Sequence, residues 1–375
     1  VMPFLTDIYT VGNTIDTFAP GHYARVYEAV DNRTRQSCAF KVMRVEHLAD
    51  DEQPRWEALA FINEADLLTR LVSSPHVVKM LDCGYVSSVD ENPRNGQIDS
   101  YGLNVEQFRQ GAYQFAAQRW RPYLALEILP RSENLLYLMK PNAPGHRWRL
   151  PTEEGLDLAS QFADLLFQAH SQQVVYLDHK LEHVYWDGKT LRVIDWNSSR
   201  LLEKGSQTFA QQIAGDVHNL CVGILYPIFT GLSPQKGSLM PQPAGQTEVE
   251  ERYSNIDQLD FGSEPTLSAA LQRLLQQGAR RQFATIDQFA SGLSGVATAF
   301  GWETPTRPVA PALRDARTQV RAGLEKLRQG QDAIREARDV LREAAIMDNI
   351  GEDLEAELRR LLGQINDMLN DRVIP

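Results

Sequence analysis

An α+β fold with a cleft between two parts is what this sequence predicts, on three observations. Strand-like runs with a single helical pattern fill the first part of the chain. Helical patterns dominate from Asp216 onward, and the composition changes again beyond residue 301. Strands gathered before helices, instead of alternating with them, mark the α+β class, and a cleft between such segregated parts is the usual ligand site.

The elements follow in order. RVYEAV (Arg25–Val30) and CAFKVMR (Cys38–Arg44) are short β-type runs joined by the turn-rich DNRTRQS, an antiparallel hairpin. Pro54 opens a helical stretch in which Phe61, Leu67, Leu68 and Leu71 recur at helix spacing. Strands are expected at His76–Leu81 and Tyr123–Leu129, with the polar stretch Ser87–Arg119, containing DENPRNG, placed on the surface between them. After Pro151 and Thr152, acidic Glu153 and Glu154 mark a helix start, and Leu158, Phe162, Leu165, Leu166 and Ala169 supply its buried stripe. The short strands VVYL, HVYW and LRVID come next. GWETPTRPVAP (Gly301–Pro311) has three prolines and no periodicity, so it reads as a linker. The expected organisation is therefore a domain over 1–301, divided near residue 128, a linker over 302–311, and a helical hairpin over 312–375.

Bulk properties restrict function. With 38 basic and 49 acidic residues the formal net charge is −11, which repels a phosphate backbone, so nucleic acid is excluded as the main partner. Cys38, Cys83 and Cys221 lie far apart with no CxxC pair, so a reducing compartment is expected. The apolar stretch Leu220–Thr230 falls short of the roughly 20 residues a membrane-spanning helix needs. No basic-plus-apolar leader opens the sequence. The expectation is a cytoplasmic protein without a membrane partner.

The densest chemical signal is YLDHKLEHVYWD followed by LRVIDWN. Asp178 stands two residues before Lys180 in a loop between short strands, and Asp195 ends a hydrophobic strand. This pair of segments resembles the catalytic and metal-binding loops of eukaryotic-type protein kinases, in particular the bacterial Ser/Thr kinases. Further matches come in family order over residues 8–298. CAFK carries Lys41, NEADLLTRL carries Glu64, DVHNLCVGILYPIFTG begins with Asp216, and RRQFATIDQF resembles a late arginine-containing segment.

The resemblance implies a bilobal kinase-like fold and roles set by phosphoryl transfer, which asks mainly for positioning and charge neutralisation. Lys41 would hold the α and β phosphates of ATP, oriented by Glu64. Asp195 would ligate Mg²⁺, Asp178 would take or orient the acceptor's proton, and Lys180 would neutralise developing charge. Gly21, Tyr23 and Val26 would cover the nucleotide, Ala39 and Leu126 would line its pocket, and the backbone of Glu127 and Leu129 would meet adenine. Asp216 would be structural, bonding the catalytic-loop backbone. Taken one at a time, each has a plainer reading: Lys41 as an edge-strand lysine, Glu64 as a helix-surface charge, Asp178 and Asp195 as turn or cap residues.

Four departures stand against the pattern. APGHYARV keeps Gly21 but has Ala19 and Ala24 where the family has the glycines that close on phosphate. His183 replaces the asparagine that ligates a second Mg²⁺, and imidazole suits zinc, nickel or manganese-like ions better than magnesium. The metal loop reads Asp195-Trp196-Asn197, where asparagine tolerates left-handed geometry. The segment between Asp195 and Asp216 is short and lacks A-P-E, which leaves Arg280 and Arg281 without their usual glutamate and the acceptor undefined. Three functions stay open: an ATP- and Mg²⁺-dependent phosphotransferase, a pseudokinase serving as a nucleotide-binding scaffold, and a small-molecule kinase.

In the last segment, Leu313, Val320, Leu327, Ile334 and Leu341 repeat every seven residues, with Ala316, Gly323, Gly330, Ala337 and Ala344 at the companion position. Two glycines in one stripe predict something packed closely against it. A second helix carries Leu354, Leu358, Leu361, Ile365 and Met368, with MDNIGED as the turn. The first helix, at about 48 Å, outruns the second at about 27 Å. Its surplus must meet the preceding domain, another copy of the chain, or a protein partner through 313–344.

Overall fold

The computed structural model describes residues 2–15, 23–49, 53–139, 147–235, 239–242, 249, 251–304, 308–347 and 351–370. The chain is mixed α+β, built on one six-stranded antiparallel sheet ordered β1-β2-β3-β6-β4-β5. The expected hairpin is β2 (Ala24–Asp31) and β3 (Gln36–Met43). Its turn is closed by Asp31 Oδ1, which accepts from Arg33 N at 2.8 Å. An additional strand, β1 (Tyr9–Thr14), pairs with β2. The other two expected strands occur as β4 (Met80–Val86) and β6 (Arg121–Glu127), with β5 (Ile98–Ser100) at the edge. β4 starts later than its sequence pattern suggests, because Val77 pairs instead with Val193 of a distant strand.

Register sorts this sheet into two faces. Val26 lies opposite Lys41, Lys41 opposite Leu124, and Ala39 opposite Leu126. Directly opposed antiparallel residues share a face, so these five side chains share one. The other face holds Tyr27, Phe40, Val42, Tyr123 and Ala125, all buried with Leu5, Tyr9 and Val11. Helix α1 (Trp56–Arg70) packs on the first face, and the predicted residues Phe61, Leu67, Leu68 and Leu71 are all buried.

Ser87–Arg119 is not the purely superficial insertion expected. It contributes β5 and two short helices, Val105–Gln110 and Ala112–Ala117, and Phe108 and Phe115 are buried. Phe115 stacks on Tyr85 at 4.4 Å between ring centroids. These aromatics are isolated among polar residues in sequence, so only the long-range contact with β4 reveals their burial.

Helix α2 (Thr152–Ser171) buries all five predicted stripe residues completely. Two small pairs follow: β7 (Val174–Val175) with β10 (Arg200–Leu201), and the hairpin β8 (Val184–Trp186) and β9 (Leu191–Val193). Helix α3 (Gln207–Asn219) is capped by Ser206, whose Oγ accepts from Phe209 N at 3.1 Å. It continues through a π-helical stretch, Leu220–Leu225, into Tyr226–Thr230. The full run Gln207–Thr230 is long and apolar enough to cross a bilayer by length and composition, unlike the shorter stretch read from sequence, and 83% of its most apolar window is buried inside the protein. Helices α4 (Ala269–Ala279) and α5 (Ile286–Ala299) pack beside it.

The last two helices, α6 (Pro311–Ala345) and α7 (Glu352–Asn370), pack on each other around buried Leu358. Residues 348–350 of the expected turn, 305–307 of the expected linker, and Gly21 lie outside the described residues. The seam read from sequence is not what meets the rest of the protein. Leu313, Val320 and Leu327 are exposed, as are Leu354 and Met368, and a Cβ added at Gly323 or Gly330 would meet nothing within 4 Å. The contact is made by arginines on a neighbouring face. Arg317 and Arg321 pair with Glu153 at 3.0 and 3.2 Å, Arg321 also pairs with Asp157, and Arg328 reaches Glu154 at 2.6 Å. Arg317 also lies over the Trp302 ring at 4.1 Å, while Trp302 Nε1 donates to Glu153. Heptad counting finds apolar seams, whereas this face is guanidinium against a cluster of carboxylates at the start of α2.

Candidate functional site

Two loops supply the centre, and both are conformationally strained. Leu177, just before Asp178, and Asp195 itself have φ of 67° and 62°. Such left-handed geometry costs a non-glycine residue of order 1–3 kcal/mol and persists only where neighbours enforce it. For the first loop the enforcer is buried Asp216, whose carboxylate accepts from Tyr176 N at 2.9 Å, Leu177 N at 2.8 Å and His170 Nε2 at 2.9 Å. Asp216 is therefore structural, as expected. Burial opposes its charge, yet these donors and the His179 ring hold its carboxyl below the usual carboxylate range.

The second loop brings Asp195 to Lys41. Lys41 Nζ lies 2.7 Å from Glu64 Oε2 and 2.7 Å from Asp195 Oδ1, although the three residues come from β3, α1 and the stretch after β9. His183 bridges the two loops, with Nε2 3.1 Å from Asp195 Oδ2 and Nδ1 3.5 Å from Asp178 Oδ2. Lys180 Nζ is 3.6 Å from Asp178 Oδ2. Ligand atoms of Asp178, His183 and Asp195 thus fall within 4.8 Å of one another. Six residues singled out in the sequence (Lys41, Glu64, Asp178, Lys180, His183 and Asp195) meet in one place.

The remaining candidates distribute as follows. Val26, Ala39 and Leu126 lie on the Lys41 face of the sheet. Glu127 ends β6, and its N–H donates to the Lys79 carbonyl at 2.9 Å. Leu129 follows it and is partly buried. Tyr23 is not an exposed loop tip. It is buried edge-on against Trp56 and Phe61, with Lys41 Nζ 6.0 Å from its ring centroid. Trp196 is fully buried, its ring 4.7 Å from that of Tyr176 between centroids.

Electrostatics follow from burial and pairing. Burial disfavours ionised Asp195, but Lys41 and His183 outweigh it and hold the carboxyl well below the ordinary range. Asp178 behaves alike: burial opposes its charge, and His183, Lys180 and Arg252 together keep it lowered. Both carboxylates are thus held toward the ionised form. Burial raises Glu64 against the pull of Lys41.

Two partners were not found in the sequence. Arg252 Nη1 donates to Asp178 Oδ1, from a segment with no periodicity or motif to mark it. Asn197 Nδ2 donates to Asp195 Oδ1, a contact its position two residues later permits but no residue-type rule demands. Among the described residues Arg280 and Arg281 form no ion pair. No protein-family model matches the chain, and no curated protein matches it in sequence.

His179 offers a pH test of this region. Its ring is buried between Phe162 and Tyr176, at 5.6 and 5.0 Å between centroids. Burial pushes the imidazole down to about 4, against the attraction of Asp216. Unfolded, a histidine titrates near 6.5. As pH falls below about 6.5, the unfolded chain therefore takes up a proton that the native chain refuses. Stability is lost at up to about 1.4 kcal/mol per pH unit until the native ring titrates. Urea unfolding stepped from pH 7 to pH 5 is expected to show this slope, and His179→Phe to flatten it. Equal slopes in both proteins would show that His179 is not the group responsible.

Proposed function

We propose that this chain is an ATP- and Mg²⁺-dependent phosphotransferase with the bilobal fold of the bacterial Ser/Thr protein kinases it resembles. One observation carries the reading: Lys41 Nζ stands 2.7 Å from both Glu64 and Asp195, with Asp178 joined to Asp195 through His183. Ordinary surface or turn residues would have no reason to converge from separate elements, with Lys41, Glu64 and Asp178 buried and Asp195 partly so. Val26, Ala39 and Leu126 on the same sheet face give an apolar bed of the kind adenine needs beside a lysine that reaches its phosphates.

Phosphoryl transfer assigns each group a task. Lys41 neutralises the α and β phosphates, held in place by Glu64. Asp178 accepts the proton of the acceptor hydroxyl as its oxygen bonds to the γ phosphorus, the bond to the β-phosphate oxygen breaks, and ADP leaves. Lys180 balances charge on the transferred group. A divalent cation fits the cluster of Asp178, His183 and Asp195, whose ligand atoms lie within 4.8 Å of one another. The donor set is two carboxylates and an imidazole, and His183 Nδ1 is a buried nitrogen without a hydrogen bond. Such a cation neutralises phosphate charge when bound. The imidazole extends the choice from magnesium toward manganese-like or zinc-like ions.

Thermal unfolding tests nucleotide binding directly. Mg²⁺–ATP at one hundred times its Kd stabilises by about 2.7 kcal/mol, which moves Tm upward by several degrees, and Lys41→Ala is expected to abolish the shift. No displacement of Tm with ATP and any of Mg²⁺, Mn²⁺ or Zn²⁺ would remove the proposal. Displacement without transfer would leave a nucleotide-binding scaffold.

A further inference from the structure

We propose that Arg252 is a positioning residue for Asp178, holding the carboxylate by one oxygen so that the other faces the acceptor hydroxyl. The inference rests on the phosphotransfer reading and deepens its acceptor side.

The two oxygens of Asp178 have different surroundings. Oδ1 accepts from the Arg252 guanidinium. Oδ2 accepts no hydrogen bond among the described residues; His183 Nδ1 lies 3.5 Å and Lys180 Nζ 3.6 Å from it. Oδ2 is therefore the oxygen turned toward the residues assigned to the cation and the transferred phosphate. A carboxylate tethered through Oδ1 loses the rotation that would exchange its two oxygens, and a fixed orientation is what proton acceptance in line with transfer needs.

Arg252 is itself built into place. Its carbonyl accepts from Gln235 Nε2 at 2.8 Å. The neighbouring Tyr253 carbonyl lies 3.0 Å from His218 Nε2, while the other nitrogen of that imidazole lies 3.0 Å from the Ala279 carbonyl. The Tyr253 ring fills the space over Gly223, where an added Cβ would lie 2.4 Å from the ring. Both Arg252 and Asp178 side chains are 3% exposed. A buried guanidinium carried on a backbone held in this way is suited to orienting a group and not to swinging as a lid.

The test compares Arg252→Ala and Arg252→Lys with the native chain. The alanine variant is expected to lose about a hundredfold in kcat for γ-phosphate transfer, with KM for ATP and the Mg²⁺–ATP shift in Tm unchanged, and lysine to restore most of the loss. Carbodiimide labelling of Asp178, followed by peptide mass spectrometry, reads the pair without any turnover: protection in the native chain and in Arg252→Lys, and labelling in Arg252→Ala. Unchanged kcat in the alanine variant, or loss of kcat together with loss of nucleotide binding, overturns the positioning role. Equal labelling in all three proteins overturns it as well. Absence of transfer by the native chain counts against phosphotransfer itself, and the labelling still judges the pair.

Discussion

Replacing Asp178 by asparagine is expected to lower transfer of labelled γ-phosphate by about 10²- to 10⁴-fold, the range that a positioned proton acceptor contributes. The amide keeps the size of the side chain but cannot accept the hydroxyl proton. Binding of Mg²⁺–ATP is expected to survive, because Lys41, Glu64 and Asp195 form their contacts independently of Asp178. The measurement therefore has two arms, Tm with nucleotide and rate of transfer, and only the second is expected to move. Equal rates for the native and Asp178→Asn proteins would take Asp178 out of the chemistry. One structural consequence needs separating from the chemical one. Arg252 loses its ionised partner in the variant, so Tm without nucleotide must be compared first.

The second large effect concerns stability. Asp216→Ala removes the common acceptor of two backbone N–H groups and the His170 imidazole, all buried. An unsatisfied buried donor costs about 1–3 kcal/mol, and breaking a buried charged network costs about 3–5 kcal/mol. A loss of about 3–5 kcal/mol is expected in urea unfolding, read as a lower midpoint at constant slope. The strained Leu177 backbone loses its restraint at the same time, so transfer should fall even in the fraction that remains folded. Asp216→Asn keeps one acceptor oxygen and is expected to lie between the two. The carboxyl of Asp216 is held below its unfolded value near 3.9. Its contribution is therefore complete above that pH and is lost as pH falls toward the lower native value. A cost below about 1 kcal/mol for Asp216→Ala would mean that the loop is held by something else.

Much of this was legible in the chain of letters. The stripes of α1 and α2 are local periodicities, and burial follows them because a helix with one apolar face has one stable way to pack. Lys41, Glu64, Asp178, Lys180, His183 and Asp195 could be named because the segments that carry them resemble, in order, those of the bacterial Ser/Thr kinases. Other features were hidden for identifiable reasons. Phe108 and Phe115 are buried by Tyr85, far away in sequence, and nothing in their polar neighbourhood announces it. α6 was read by its leucines, yet it meets the protein through arginines, because the surface it lies on is the acidic start of α2 and not an apolar groove.

What the sequence by itself determined is the α+β class, the helices with their buried faces, and the identities of the charged residues at the centre. Tertiary structure alone decided that Lys41 sits between Glu64 and Asp195, that Tyr23 folds inward, and that Arg252 grips Asp178. The division has a physical cause. Periodicity records how each segment prefers to bury itself, whereas ion pairs between distant segments depend on where the packed elements leave room for two opposite charges out of water.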